Sequence, residues 1–371
     1  MILLSSRLKE VVKRAIGIST AQSRILDLED QVVSLQSQIL ELKEIIKSIH
    51  PSPELVSTSV SIDWNANLSL VPKDGQIETE NEKIATSLSL LASEKFLPQE
   101  QDYAIKTMVC QHRHFQLPWF ADWNKEINPD GGLSSSPQKL ERKGWEYCSI
   151  LQALSERGML QAGKRGLGFA VGTEPLPAVF AKHGVEILAT DLDTSAEASK
   201  AWQATNQHAG SLQQLWKPKI ISQEAFQKLV RFQPADMNHP ETITDKFDFI
   251  WSSCALEHLG GLQAGFDFIL RSSQLLRPGG IAVHTTEFNV ASNSSTITTG
   301  GSVIYRKCDI EALDYHLRKH SMCLEKMDFY AGALPADRQY DTPPYFKTER
   351  QHVKLKLFDH ISTSLVLIVY R

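Results

Sequence analysis

Ionisable side chains follow two strand-like segments in the second half of the chain. Glu257 and His258 come after "FDFIWS", and His284 and Glu287 end "IAVHTTEF". Because the carboxyl ends of parallel strands meet at one edge of a sheet, these four side chains can share a pocket. A histidine with a near-neutral pKa can take a proton from a hydroxyl group. We therefore expect His258 to be the catalytic base, with Glu257 beside it.

Two other roles are open for these residues. Mixed histidine and carboxylate ligands suit Zn²⁺, Mn²⁺ or Fe²⁺, so Glu257, His258, His284 and Glu287 could together hold a divalent ion. In the simpler alternative no metal is bound, and His284 and Glu287 line a substrate pocket with His352 from a later polar and aromatic segment. The sequence favours this second alternative. His258 could also serve only to begin a helix.

The stretch "GFAVGTEPLP" (residues 168–177) is similar to a nucleotide-binding loop, but only Gly172 lies in its turn. Dinucleotide sites place Gly-x-Gly-x-x-Gly after the strand, so that the backbone can approach a pyrophosphate. Glu174 falls in the first helical turn, where a carboxylate suits the helix dipole but repels a pyrophosphate. The loop therefore favours a cationic ligand without phosphates, and S-adenosylmethionine is such a ligand.

Acidic residues also follow the next two predicted strands. Asp191 ends "VEILATD", 19 residues after Gly172. A carboxylate there can accept hydrogen bonds from both hydroxyls of a ribose, although it could instead cap a helix. Asp236 and Met237 follow the third predicted strand, where the acid could bind an adenine amino group and the methionine could pack on the ring.

Strand and helix signals alternate from about residue 165 onward. Helices of about ten residues separate the strands, which predicts an α/β fold with a doubly wound, mostly parallel sheet. The seven predicted strands are Gly166–Val171, Val185–Thr190, Leu229–Ala235, Phe247–Ser252, Ile281–Thr286, Leu324–Phe329 and Ser364–Tyr370.

Residues 140–371 resemble the class I S-adenosylmethionine-dependent methyltransferases. The segments that carry the resemblance are "GLGFAVGTEPLP", "ILATDLD", "PADM", "FDFIWSSCALEHLGG" and "LLRPGGIAVHTTEF". The resemblance implies a Rossmann-like methyltransferase fold with a seven-stranded sheet and S-adenosylmethionine as cofactor. "RKGWEY" and "HTTEFN" add a similarity to a bacterial subgroup associated with surface-glycan biosynthesis. That similarity implies methylation of a hydroxyl on a sugar, glycan or glycolipid precursor.

The first motif departs from the family pattern, which usually reads acid-x-Gly-x-Gly-x-Gly. Gly168, Ala170, Gly172 and Glu174 occupy its four defined positions, so only the middle glycine is kept. The donor-binding residues that the resemblance implies are Gly168, Ala170, Gly172, Glu174, Asp191, Leu192, Asp236, Met237 and Ser253.

The N-terminal part of the chain has a different pattern. Apolar residues at heptad positions a and d run through residues 25–49, which predicts a coiled coil and a homodimer. We therefore expect a coiled-coil helix over residues 1–50 and a linker over 51–80. A helical region over 81–160 would cap the active site, and the methyltransferase domain would span 161–371.

Composition excludes several classes of protein. The net charge of −4 gives no basic field for nucleic acid, and no apolar run is long enough for a transmembrane segment. Five scattered cysteines argue for a reducing compartment, so we expect a cytoplasmic protein that acts on a small-molecule or glycan acceptor.

Two competing hypotheses follow from the reduced glycine loop. The chain could be a catalytically weakened methyltransferase-like module that assembles through its coiled coil. It could also be a nicotinamide-dependent oxidoreductase, but the missing Gly-x-Gly-x-x-Gly and Glu174 argue against that.

Overall fold

The computed structural model describes residues 104–130, 140–347 and 350–371. The coiled coil and linker predicted for residues 1–80, and a dimer through residues 25–49, lie outside the described residues. Within the described part of the chain, no helix combines the length and the apolar character that crossing a membrane requires.

Strands and helices alternate along the described chain. The strands are β1 (Thr107–Val109), β2 (Arg165–Gly168), β3 (Glu186–Asp191), β4 (Val230–Pro234), β5 (Phe247–Ser253), β6 (Gly260–Gly261), β7 (Leu276–Asn289), β8 (Thr299–Gly300), β9 (Cys323–Leu324), β10 (Met327–Asp328), β11 (Leu355–Leu357) and β12 (His360–Tyr370). The α-helices are α1 (Pro118–Ile127), α2 (Arg142–Glu156), α3 (Leu176–Lys182), α4 (Lys200–Ala204), α5 (Leu212–Leu215), α6 (Gln223–Leu229), α7 (Leu262–Ser272) and α8 (Lys307–Lys319).

The main sheet is doubly wound and mostly parallel, which confirms the predicted fold class. Its strand order is β10-β1-β12-β7-β5-β2-β3-β4, and β9 and β11 also pair with β12. Strands β2 to β5 and β7 are parallel, whereas β12 runs antiparallel to β7. The chain winds outward from β2 through β3 to β4, then returns to β5 on the other side. This reversal between β2 and β5 opens a crevice at the carboxyl ends of the strands.

The structure differs from the sequence predictions at the sheet edge and in one strand end. Within the described residues the sheet contains ten strands rather than seven, because β1 and β11 were not predicted and the strand predicted over Leu324–Phe329 is divided into β9 and β10. The strand β1 lies in the region predicted to be helical, and its three residues are buried against β12. The strand predicted over Gly166–Val171 ends at Gly168, because Ala170 has a φ of +48° that turns the chain out of the sheet.

Side chains of alternate strand residues fill two apolar cores, one on each face of the sheet. In β5, Phe249 and Trp251 pack in the core formed with α1, α2 and α3. Ile250 points to the other core, which α7 and α8 cover. Such two-sided burial is typical of a parallel sheet between helical layers, and it fixes which side chains of each strand reach which face.

We predict that Gly168→Ala destabilises the fold, because a Cβ at this position would lie 2.3 Å from Cζ2 of the Trp251 ring. Overpacking of this kind costs about 1–3 kcal/mol, and chemical denaturation would measure the loss. Gly301→Ala is the control, since the space around a Cβ there is open within 4 Å. Equal stability of the two variants would contradict the close packing of Trp251 on Gly168.

Candidate active site

The turn after β2 bends at two residues with left-handed backbone. Ala170 has φ +48° and Gly172 has φ +51°. For a residue with a Cβ this conformation costs about 1–2 kcal/mol, so Ala170 is strained. At Gly172 the space is closed as well, because a Cβ would lie 2.3 Å from the carbonyl oxygen of Gln207. The one glycine kept in this turn therefore stands where another backbone segment packs against it.

Asp191, at the end of β3, ties three backbone segments together. Its Oδ2 accepts hydrogen bonds from the N–H groups of Gly172 at 3.0 Å and Ala209 at 3.1 Å. Its Oδ1 accepts one from the N–H of Leu192 at 2.8 Å. Burial raises the pKa of Asp191, and these N–H groups oppose the rise. The carboxylate predicted to bind ribose thus also holds the turn, and Oδ1 keeps one lone pair for a ligand hydroxyl.

The residues predicted to contact adenine lie beside Asp191. The N–H of Ala235 donates to the carbonyl oxygen of Asp191 at 2.8 Å, which joins the ends of β3 and β4. Asp236 is half-buried and its Oδ1 accepts the N–H of Asn238 at 2.8 Å. Met237 is buried. The structure therefore brings the predicted ribose and adenine ligands to one edge of the sheet.

Glu174 is buried at the same edge, with only 7% of its surface exposed. Its Oε1 accepts a hydrogen bond of 2.7 Å from the indole Nε1 of Trp251. Burial raises the pKa of Glu174 to about 8, while Trp251 and nearby Lys143 oppose the rise. The side chain therefore carries a proton at neutral pH, and a cationic ligand would favour its release.

Charged residues at the start of α2 complete this pocket, and the sequence analysis did not assign them. Lys143 Nζ lies 3.0 Å from a carboxylate oxygen of Glu146 and 3.0 Å from the hydroxyl of Ser253 at the end of β5. Ser364 donates its hydroxyl hydrogen to the other Glu146 oxygen. Burial acts to raise the pKa of Glu146, but Lys143 and Arg142 outweigh it, so the pKa is lowered. The only sequence signal was the spacing of three residues in "RKGWEY", which puts Lys143 and Glu146 on one helix face.

Glu287 faces this same cluster from β7. It pairs with the Arg142 guanidinium, and its Oε2 accepts the hydroxyl hydrogen of Ser362 at 2.7 Å. The buried Glu257 accepts the hydroxyl hydrogen of Thr286 at 2.8 Å. Burial raises the pKa of Glu257, and Glu287 adds to the rise. The predicted partners Glu257 and Glu287 therefore lie together, with Glu287 already neutralised by Arg142.

The four-residue metal site is not assembled in the structure. Donor atoms of Glu257 and Glu287 lie within 4.8 Å of each other and of the thiol of Cys254, rather than of His258 and His284. Burial raises the pKa of Cys254, so its thiol holds the proton that a metal ion would displace. An ion would also compete with Arg142 for Glu287.

His258 and His284 point away from Glu287. His258 belongs to the 3₁₀-helix Leu256–His258; its Nδ1 lies 2.8 Å from the carbonyl oxygen of Gly301, and its ring contacts Trp202 at 4.6 Å between centroids. His284 is fully buried on the opposite face of β7, with Nδ1 2.8 Å from the hydroxyl of Ser252. Burial lowers the pKa of His284 to about 3. His284 therefore does not line the predicted substrate pocket.

His352 does lie near the Arg142 and Glu287 pair. Its carbonyl oxygen accepts the N–H of Arg142 at 3.0 Å, so it borders the start of α2. Its Nδ1 lies 2.9 Å from the carboxylate of the buried Asp341, and its ring stacks on Phe346 at 3.9 Å. Burial lowers the pKa of His352, and Asp341 opposes that change. The imidazole is therefore neutral at pH 7, with its proton on Nδ1 directed at the carboxylate.

Residues 167–284 match a family model described as a methyltransferase domain. The match begins in β2 and ends in β7, so it spans the turn, the two acidic strand ends at Asp191 and Asp236, and the segment after β5. The sheet around this match is Rossmann-like, as the resemblance in sequence implied.

Several solved structures are similar to the chain at low identity. Magnesium protoporphyrin IX methyltransferase from Synechocystis PCC 6803 with bound SAH is 12% identical, with 70% of this chain and 97% of that chain covered and a TM-score of 0.38. An S-adenosylmethionine-dependent methyltransferase from Mesorhizobium loti is 14% identical, with 59% and 96% covered and a TM-score of 0.35. A Galdieria sulphuraria protein is 18% identical at a TM-score of 0.27, with 40% of this chain and 47% of that chain covered. No curated protein sequence matches the chain significantly.

We predict that Glu174→Ala destabilises the fold by about 1–3 kcal/mol, because it leaves the buried Trp251 N–H without an acceptor. Glu174→Gln keeps an acceptor oxygen and is the matched control. Urea denaturation of the three proteins at pH 6 would measure the difference. Equal losses in both variants would show that the hydrogen bond to Trp251 does not stabilise the fold.

The same residue predicts a pH dependence. Because the pKa of Glu174 is raised from 4.5 to about 8 on folding, the native state holds a proton that the unfolded state has lost. Its contribution to stability is fully present below pH 4.5 and is lost as the pH rises toward 8. Glu174→Gln should remove this part of the decline in unfolding free energy between pH 5 and 8.

Proposed function

We propose that this chain transfers the methyl group of S-adenosylmethionine to a hydroxyl on a sugar, glycan or glycolipid precursor. The observation that carries the proposal is the match of residues 167–284 to a methyltransferase domain whose strand ends carry Asp191 and Asp236. The buried Glu174 supports a cationic donor, because a positive charge beside it would stabilise its ionised form, whereas a pyrophosphate would oppose that ionisation. The protein would act in the cytoplasm, since none of its five cysteines forms a disulfide.

The donor would lie along the crevice at the carboxyl ends of the strands. In this proposal Asp191 binds the ribose, Asp236 and Met237 contact the adenine, and the turn at Gly172 passes beneath the donor. Leu192, Ala170 and Ser253 border the same crevice. All these residues follow β2, β3, β4 or β5, so one ligand can reach them together.

The acceptor would enter from the side of β7 and β12. The hydroxyl oxygen attacks the donor methyl carbon, the bond from that carbon to sulfur breaks, and the demethylated donor leaves. The hydroxyl proton passes to a base. Holding the reactants in line supplies much of the acceleration, so orientation of the acceptor matters as much as the base.

His258 and His352 are both suited to accept that proton. Each has its Nδ1 next to an oxygen acceptor, which leaves Nε2 with a free lone pair. Glu257 and Glu287 lie close together, and Glu287 pairs with Arg142, whose N–H bonds to the His352 carbonyl oxygen. The region from Ala336 to Leu355 also carries partly exposed aromatic side chains, Tyr340 and Phe346, which suit stacking on a sugar.

We predict that the protein binds S-adenosylhomocysteine and transfers a labelled methyl group to a carbohydrate. Calorimetric titration with S-adenosylhomocysteine tests the donor. Incubation with labelled S-adenosylmethionine and a panel of hexosides, deoxyhexosides and nucleotide sugars tests the acceptor. Donor binding without transfer to any carbohydrate would be consistent with a methyltransferase but would contradict the proposal that the acceptor is a sugar.

We further predict that replacement of the base lowers transfer without weakening donor binding. General-base catalysis contributes about 10²- to 10⁴-fold, so either His258→Gln or His352→Gln should lower the rate by that factor. His320→Gln on the exposed end of α8 is the control. The variant that lowers the rate and removes the acidic limb of the pH profile identifies the base. Unchanged rates in both variants would contradict a histidine base.

A non-catalytic assembly module is the second candidate, and one observation favours it. The segment at Gln207 and Ala209 already contacts Gly172 and Asp191, where a donor would bind. Such a module predicts no binding of S-adenosylhomocysteine. It would instead depend on a homodimer through residues 25–49, which sedimentation of a chain lacking residues 1–50 would test.

A further inference from the structure

Charged side chains meet where the start of α2, the turn after β2 and the end of β5 come together, and we call the space beside Lys143, Glu174 and Ser253 the pocket. Lys143 Nζ lies 3.0 Å from the hydroxyl of Ser253, and Glu174 Oε1 lies 2.7 Å from the indole Nε1 of Trp251. Because Trp251 and Ser253 are two residues apart in β5, they point to the same face of the sheet and bring Lys143 and Glu174 near each other. The Lys143 side chain is 40% exposed, whereas Glu174 is 7% exposed, so a cation that solvent can reach stands beside a more deeply buried carboxyl group.

One polar atom of this pocket has no partner. Glu174 Oε1 is bonded to the Trp251 indole, but Oε2 makes no hydrogen bond within the described residues. A carboxyl oxygen that is mostly shielded from water loses stabilisation unless it is paired. This oxygen is available to a ligand that brings a donor or a positive charge.

The other side of the pocket offers a second acceptor. The backbone carbonyl oxygen of Ser253 lies 3.4 Å from Lys143 Nζ, and its hydroxyl lies 3.0 Å from the same atom. If Lys143 turned toward a ligand anion, the Ser253 carbonyl would be free to accept from a ligand cation. Glu146 would keep Ser364 and the nearby Arg142 to offset its charge.

We propose that Lys143 and Glu174 together bind the α-amino-acid end of the methyl donor, Lys143 its carboxylate and Glu174 its ammonium group. The inference rests on the proposed function, because it takes S-adenosylmethionine as the donor. A zwitterion places opposite charges a short distance apart, and the pocket presents the opposite charges in the complementary order. Pairing both ends lowers the cost of removing them from water, which neither residue could achieve alone.

Proton release on binding is a consequence of this arrangement. Burial raises the pKa of Glu174 to about 8, so the free protein holds a proton there at pH 7. An ammonium group against Oε2 favours the ionised form and expels that proton. Calorimetry in two buffers of different ionisation enthalpy should show release of about one proton with wild type and none with Glu174→Gln.

Binding of four ligands would distinguish the contribution of Lys143 from that of Glu174. They are S-adenosylhomocysteine, its decarboxylated analogue, its deaminated analogue and 5′-methylthioadenosine, which lacks the amino-acid end. Lys143→Met should weaken the two ligands that keep the carboxylate by about 10- to 100-fold and leave the decarboxylated analogue unchanged. Glu174→Gln should weaken the two ligands that keep the ammonium by a similar factor. Affinity for 5′-methylthioadenosine should stay the same in all variants.

Controls distinguish recognition from misfolding and from failure of the proposed function. Lys143→Arg should restore much of the affinity, and Lys307→Met on α8 should bind like wild type, because Lys307 pairs on the surface with Glu311. Equal weakening of all four ligands, or no weakening of any, would overturn the assignment of Lys143 and Glu174. If wild type binds none of the four, the proposed function itself fails.

Discussion

The hydrogen bond between Trp251 and Glu174 is the contact on which the crevice depends. The Trp251 ring lies across Gly168, where a Cβ would come within 2.3 Å, and its N–H reaches Glu174 Oε1 at 2.7 Å. One indole thus spans the last residue of β2 and the first turn before α3. The methyltransferase motif that this stretch resembles has an acid at the position of Gly168. Here the tryptophan fills that space, and the carboxyl group comes instead from Glu174, six residues later in the chain.

Helix α2 supplies the positive charge that this edge of the sheet requires. Glu146 and Glu287 are both buried, and an unpaired carboxylate in such a place would cost several kcal/mol. Arg142 and Lys143, in the first turn of α2, offset both acids. Three of these four residues come from α2, which precedes the parallel strands in sequence, so the edge is complete only when α2 packs across β5, β7 and β12. Helix α2 is therefore part of the crevice itself, whereas the sequence predicted that the helical region over residues 81–160 would only cover the active site.

Much of the fold could be predicted from the sequence, because alternating apolar strands and helices leave few arrangements of a parallel sheet. The acids after β3 and β4 were predictable for the same reason. The position of His284 could have been predicted too, since residues three apart in a strand face opposite sides and Glu287 faces α2. By contrast, β1 has three residues and no turn signal, and its pairing is entirely with strands distant in sequence, β12 and β10. The spacing of Lys143 and Glu146 puts both on one helix face, but nothing local in the sequence showed that Ser253, 110 residues later, lies beside them. Nothing local marked Asp341 as the partner of His352.

The hydrogen bonds that Asp191 accepts from the turn explain why this loop can function with a single glycine. A turn rich in glycine presents its N–H groups to a ligand, whereas the N–H of Gly172 is already held by Asp191 Oδ2. That oxygen also accepts from Ala209, so the turn and the segment after α4 are fixed relative to each other before any ligand arrives. Flexible glycines would weaken this arrangement, since they lose more conformational entropy when the turn is ordered. Ala170 and Glu174 are therefore compatible with a rigid turn. Affinity for the donor would then come from side chains at the rim of the crevice more than from the backbone of the turn.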